Sequence, residues 1–145
     1  MPPVELLSQV TSPADSLAEF PAFLAALGVA GAALLVFGAL YTLVTPWQDW
    51  GGIGGGNTAK AVVFGGALVG FAVPLAAAAA HSADWFDMSI WAAIALVLQL
   101  AVNVGARLAL PRTAERITAN DSAHAVLLAS LSLAVGVVML GCMTP

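Results

Sequence analysis

Residues 90–110 read IWAAIALVLQLAVNVGARLAL, twenty-one positions with a single charged side chain, Arg107. At about 1.5 Å per residue such a run covers about 30 Å, the thickness of the hydrocarbon core of a bilayer. Unpaired backbone groups in lipid cost several kcal/mol, so a run of this length must be helical, and the alternating pattern of a membrane barrel strand is absent. Three further stretches, 21–44, 59–80 and 123–143, reach the same length with few or no charges. The predicted fold class is therefore all-α: a polytopic membrane protein with four transmembrane helices in one domain over 21–145, preceded by an N-terminal interfacial segment over 1–20.

Composition agrees with that expectation and narrows the function. Of 145 residues 61% are hydrophobic and 8% charged, against about 25% charged in an ordinary soluble domain, and the mean hydropathy is +0.97. Four Lys and Arg stand against eight Asp and Glu, a formal charge of −4. The cations are scattered, so no basic surface can neutralise a phosphate backbone, and nucleic acid is excluded as a partner. The single cysteine, Cys142, cannot close an internal disulfide. No CxxC or Cys/His cluster accompanies it, which argues against structural zinc and a disulfide framework; neither a metal nor a cofactor is expected.

The first twenty residues lack the Lys/Arg-led start and the small-residue cleavage site of a secretory signal, so the N-terminus is expected to stay. Ser12-Pro13-Ala14-Asp15 reads as a helix start, with a serine cap, proline at the first position and a carboxylate at the positive dipole end. A short interfacial helix ending near Pro21 would position the first span or serve as a docking arm. Orientation follows from Lys60, Arg107, Arg112 and Arg116, which flank the first and third connections, while Glu5, Asp15, Glu19, Asp84 and Asp87 lie on the N-tail and the second connection. The positive-inside rule then puts both termini on the periplasmic or extracellular side.

A repeat emerges when the second half is slid back by 64 positions. Asn57-Thr58-Ala59-Lys60-Ala61 falls on Asp121-Ser122-Ala123-His124-Ala125, Ile53 on Ile117, and Thr45-Pro46 lies one residue from register with Leu110-Pro111. Each unit, about 21–80 and 90–145, is a helix, a loop after proline, a small polar cap and a second helix. Two such hairpins would share one orientation and be related by an axis along the membrane normal.

Residues able to carry chemistry are few. Gln99, Asn103 and Arg107 recur every four positions and form one polar stripe on the third span; intramembrane polar groups face a partner helix or a wet cavity, so the stripe is either helix–helix glue or a pathway. His81, Asp84 and Asp87 sit beside Trp85 at the outer end of the second span, too few for a metal site and compatible with a wet connection. The glycine-rich run 51–56 before Asn57-Thr58 has phosphate-loop spacing, but Asn57 occupies the lysine position and no strand precedes it. It reads instead as a mobile loop, with Asn57, Thr58, Asn120 and Asp121 as the helix caps of the two cytoplasmic loops. Gly66 and Gly70 make a GxxxG face, and Gly31 and Gly38 a second smooth surface; these serve internal packing or association of copies. Pro74 should kink the second span. The intramembrane Ser130 and Ser132 have no base or GxSxG context, and Cys142 reads as a packing residue, so an enzyme is not expected.

The string Tyr41-Thr42-Leu43-Val44-Thr45-Pro46, Gly56-Asn57, Gly65-Gly66 through Gly70-Phe71-Ala72-Val73-Pro74-Leu75, His81-Ser82, Trp91, Gln99, Ser130-Leu131-Ser132-Leu133 and Cys142-Met143-Thr144 resembles the YjfL-like bacterial inner-membrane family, built on a domain of unknown function, number 350. The resemblance implies a bacterial inner membrane and a two-hairpin domain, brings no established activity, and associates the chain with envelope-stress proteins of the phage-shock type. Gly54 and Gly55 replace the charged residues that members often carry before the Gly-Asn pair. Two functions are carried forward. One is an oligomeric small ion or solute pathway lined by Gln99, Asn103 and Arg107, with His81 near its outer mouth. The other is a membrane anchor or scaffold that recruits cytoplasmic envelope-stress proteins through the two loops. The partners expected are the lipid bilayer, further copies of the chain and those stress proteins.

Overall fold

A computed structural model describes residues 17–143. Ser12, Pro13, Ala14 and Asp15, and with them most of the expected interfacial helix, lie outside the described residues. Phe20 already belongs to the first span. The described chain is all helical: α1 (Phe20–Val44), α2 (Trp50–Gly54), α3 (Thr58–His81), α4 (Trp85–Ala109), α5 (Thr113–Thr118) and α6 (Ser122–Met143). The four long helices are 25, 24, 25 and 22 residues long and apolar enough to cross a membrane.

Their ends are set by capping. Asn57 accepts from Lys60 N at 3.0 Å and starts α3; Asp121 accepts from His124 N at 3.1 Å and starts α6. Asp84 accepts from Phe86 N and Asp87 N at 2.9 and 2.8 Å and starts α4. This moves the start of the third span five residues ahead of the expected Ile90, because a capping carboxylate and a second one in the first turn suit the positive end of the dipole. The outward faces carry large apolar side chains such as Leu35, Leu43, Leu108 and Val138, as a lipid-facing surface requires.

The closest packing joins α3 and α6. Asn57 meets Ile117, Gly66 meets Ala129 and Gly70 meets Ser132; the separation stays near sixty residues, so α3 and α6 run side by side in the same direction. A Cβ on Gly66 would run into Ala129, and one on Gly70 would stand 2.6 Å from Ser132 O. The GxxxG face thus packs internally, by close approach of backbones. Pro74, fully buried inside α3, removes the N–H that would bond the Gly70 carbonyl. Gly136 of α6 sits against that same carbonyl, with no room for a Cβ. On the other flank Phe37 of α1 stacks on Phe71 of α3 with centroids 4.6 Å apart, and Tyr41 leans on Phe64 at 5.7 Å. Gly38 faces this contact, where an added Cβ would stand 3.7 Å from the Phe64 ring, while Gly31 faces open space.

Candidate functional site

The polar stripe of α4 divides among three different partners. Gln99 is fully buried at the centre of the span, and its Nε2 donates to Ser132 O at 2.9 Å and to Ser132 Oγ at 2.7 Å across on α6. The room for it exists because position 70 has no side chain: a Cβ there would stand 2.7 Å from Nε2. Its Oε1 is buried without a partner. Asn103, one turn on, donates to the Gln99 carbonyl at 2.8 Å and so bonds its own helix. Arg107 donates to Val44 O at the end of α1, offsetting the negative end of that helix dipole, and its guanidinium lies 5.2 Å from the centroid of the Trp47 ring. In a single copy the stripe is therefore an interhelical seam at Gln99 and a helix-end clamp at Arg107.

A second set of polar residues gathers where α1 and α4 end and α3 and α6 begin. The stretch expected to be a mobile glycine loop is instead the short helix α2, begun by Asp49, which accepts from Gly52 N at 3.2 Å. Only Gly56, at φ 89°, needs the left-handed conformation there, and its counterpart 64 positions on, Asn120, has φ 63°. The bonds Gly55 N to Gly51 O, Gly56 N to Ile53 O and Asn57 N to Gly52 O recur as Ala119 N to Glu115 O, Asn120 N to Ile117 O and Asp121 N to Arg116 O. Two side-chain pairs repeat at the same offset. Lys60, whose side chain is 8% exposed, pairs with Asp49; His124, 7% exposed, lies 3.1 Å from Thr113 Oγ1. Because the Thr113 hydroxyl donates to Leu110 O at 2.8 Å, it accepts from the imidazole N–H. The hydrogen bond from Lys60 is the main cause that holds the Asp49 carboxyl below its usual range.

The two connections are locked together. Asn57 Nδ2 donates to Ile117 O at 3.1 Å and Thr118 O at 3.2 Å, and Asn120 Oδ1 accepts from Ala59 N at 2.9 Å. Asn120 is thus a bridge to the other connection, while Asp121 beside it caps α6. Thr58 is exposed and begins α3. Between the connections lies a cleft of about 430 Å³ lined by Pro46, Trp47, Asp49, Lys60, Ala114 and Thr118. Arg112, Glu115 and Arg116 stand exposed on and beside α5.

His81 lies at the opposite end, exposed, in the wall of a cavity of about 380 Å³ with Trp91, Cys142 and Met143. It is not gathered with Asp84 and Asp87: Asp84 is spent on its cap, and Asp87 accepts from Ala83 N at 3.3 Å. Among the described residues no three His, Cys, Asp or Glu side chains come together as metal ligands. Sequence reasoning weighed Ser132 only as a nucleophile, and it did not single out Trp47 or the Asp49–Lys60 and Thr113–His124 pairs. The offset of 64 was the signal for the pairs, since it lays Thr113 on Asp49 and His124 on Lys60.

Residues 15–143 match the model of the domain of unknown function DUF350. The chain is 36% identical over 130 residues, 90% of its own length and 96% of the relative's, to the UPF0719 inner membrane protein YjfL of Escherichia coli strain K12, and equally to that of Escherichia coli O157:H7. No solved structure matches it.

Proposed function

The chain belongs to the DUF350 family of inner membrane proteins, and on that premise we propose that it is a non-enzymatic scaffold whose two connections present one rigid surface to a cytoplasmic protein partner. The observation that carries this is the lock between connections sixty residues apart, from Asn57 to Ile117 and Thr118 and from Asn120 to Ala59. Mobile loops that served only to join spans would need no such lock. The cleft between them and the exposed charges of Arg112, Glu115 and Arg116 offer the shape and polarity that protein partners read. Lys60, Arg107, Arg112 and Arg116 all lie at this end, which by the positive-inside rule faces the cytoplasm, with both termini outside. The matched hydrogen bonds at offset 64 support a domain of two duplicated hairpins.

The partner class we carry forward is an envelope-stress protein of the phage-shock type. The competing reading is a small ion or solute pathway along Gln99, Asn103 and Arg107, favoured by one observation, the unpartnered Gln99 Oε1. It requires α4 to part from α6, or an assembly of copies that hydrates the seam. Association would have to use faces such as Gly28 and Gly31 of α1, where an added Cβ would meet nothing within 4 Å, since Gly66 and Gly70 are occupied internally. One experiment separates the two. Reversing charge with Arg112→Glu and Arg116→Glu should abolish recruitment of such a stress protein to the inner membrane while leaving the melting temperature unchanged. If recruitment is unaffected, and the purified protein carries ion flux in liposomes that Asn103→Leu alters, the scaffold reading falls and the pathway reading replaces it.

A further inference from the structure

We propose that Arg107 and Trp47 form a receptor for the phosphate of an anionic lipid headgroup, at the membrane boundary where α1 and α4 end. The chain has four Lys and Arg side chains. Three have carboxylate partners: Lys60 pairs with Asp49, Arg112 with Glu115 at 4.0 Å and Arg116 with Asp121 at 3.4 Å. Arg107 has none among the described residues. Its protein partners are the Val44 carbonyl and the face of the Trp47 indole, 5.2 Å from the guanidinium carbon. A carbonyl offsets only part of a unit charge, and a ring face steadies a guanidinium without satisfying its N–H groups. The planar fork therefore keeps donors to spare, in a half-buried position where an unmatched charge is costly.

Position selects the missing anion. Val44 is the last residue of α1, and Arg107 stands two residues before the end of α4, so the guanidinium lies level with the edge of the hydrocarbon. Trp47 and Trp50 at this end and Trp85 and Trp91 at the other mark the two interfacial belts. The anionic oxygens abundant at that depth belong to lipid phosphates, whose geometry fits the guanidinium fork bidentately. The same place holds a second group in want of an oxygen: Trp47 Nε1 is buried with no acceptor in the protein, and a phosphate oxygen reaches it once the side chains around it part. Stacking on Trp47 and bonding to Val44 hold the fork in one orientation before any lipid arrives, which lowers the ordering cost of binding. Trp47 also lines the cleft that the scaffold reading uses, but this inference does not depend on that reading, because its test reads retained lipid and not recruitment of a protein.

The test uses the full chain, purified in a neutral detergent and titrated with phosphatidylglycerol or phosphatidylcholine, with bound lipid counted by native mass spectrometry and stability followed by melting. Wild type should retain phosphatidylglycerol in preference to phosphatidylcholine and melt higher with it. Arg107→Gln should weaken that retention by about tenfold, the order expected for one charge-assisted hydrogen bond. Trp47→Phe keeps the ring face and removes the N–H; it should weaken retention by a smaller factor without lowering stability in phosphatidylcholine, and so covers the case in which Arg107→Gln misfolds. Arg112→Gln should retain lipid as wild type does. The inference is overturned if neither Arg107→Gln nor Trp47→Phe changes retention, or if Arg112→Gln weakens it as much as Arg107→Gln does, which would mean diffuse surface charge. Glycerol phosphate in solution should neither stabilise the protein nor displace the lipid. If it does both, the site takes soluble phosphate and the lipid assignment is wrong.

Discussion

Gly70→Ala tests the seam between α3, α4 and α6 at the point where all three helices meet. The added methyl carbon would stand 2.6 Å from Ser132 O and 2.7 Å from Gln99 Nε2, each well inside contact distance, and the Ser132 carbonyl is main chain that cannot swing aside. α3 and α6 must separate, and the Gln99 amide is expelled from its hydrogen bonds to Ser132. Overpacking of this kind costs about 1–3 kcal/mol, and hydrogen bonds inside a membrane protein average about 0.6 kcal/mol and reach about 1.7, so the interface loses about 2–4 kcal/mol in all. Alanine is the better helix former by about 1 kcal/mol in water, which opposes the loss. Gly65→Ala supplies the control: it lies in the same helix, a Cβ there meets nothing within 4 Å, and it carries the propensity change alone. The measurement is reversible unfolding in mixed micelles, following the far-ultraviolet helix signal. Gly70→Ala should fall below Gly65→Ala by about 2–4 kcal/mol, the interface cost just derived. Equal stability of the two variants would refute the packing between Gly70, Ser132 and Gln99.

Four other outcomes are expected. Gln99→Leu and Ser132→Ala should each destabilise, and a double-mutant cycle between them should show coupling of about 0.6–1.7 kcal/mol; additive effects would mean the pair does not interact. Asn57→Ala should cost about 1–3 kcal/mol, from a lost cap and two lost bonds to the other connection, whereas the exposed Thr58→Ala should be silent in the same melt. Asp49 has its carboxyl pKa held down by Lys60, so its contribution is present above the ordinary carboxylate range and lost as pH falls through the depressed value; amide exchange in α2 should rise on acidification, and Asp49→Asn should remove that pH dependence. An impermeant thiol reagent should label the exposed Cys142 in intact cells but not a cysteine placed at 112 in a Cys142→Ser background; labelling at 112 beside outward-facing controls would invert the orientation.

The four spans were legible because hydropathy over about 20 residues is a direct consequence of bilayer thickness. Their partners were not, because periodicity tells which positions share a face but not what that face meets. Gly66 and Gly70 announced a smooth surface, yet only the structure shows Ala129, Ser132 and Gly136 filling it. Gln99, Asn103 and Arg107 share a stripe by spacing, yet they bond to α6, to their own helix and to the end of α1. The run 51–56 read as a mobile loop because glycine frees the backbone. Asp49 and Lys60, eleven residues apart, fix it as a helical turn, and that pairing is a long-range fact that local propensity does not contain. Asn120 read as a cap by residue type, but its left-handed backbone turns the side chain toward Ala59 N, leaving the cap to Asp121.

The lock between the connections and the seam inside the membrane belong to the same pair of helices. Asn57 and Asn120 tie the starts of α3 and α6 to the opposite connection; about two and a half to three and a half turns further on, Gly66 meets Ala129 and Gly70 meets Ser132, and Gly136 sits against the Gly70 carbonyl that Pro74 leaves free. Contacts of this kind are short-range and admit little sliding, since backbone against backbone has no flexible side chain to absorb a shift. The surface at the connection end is therefore as rigid as the seam that supports it, and loosening the seam at Gly70 should raise amide exchange across α2 and α5 although neither helix touches the substituted position.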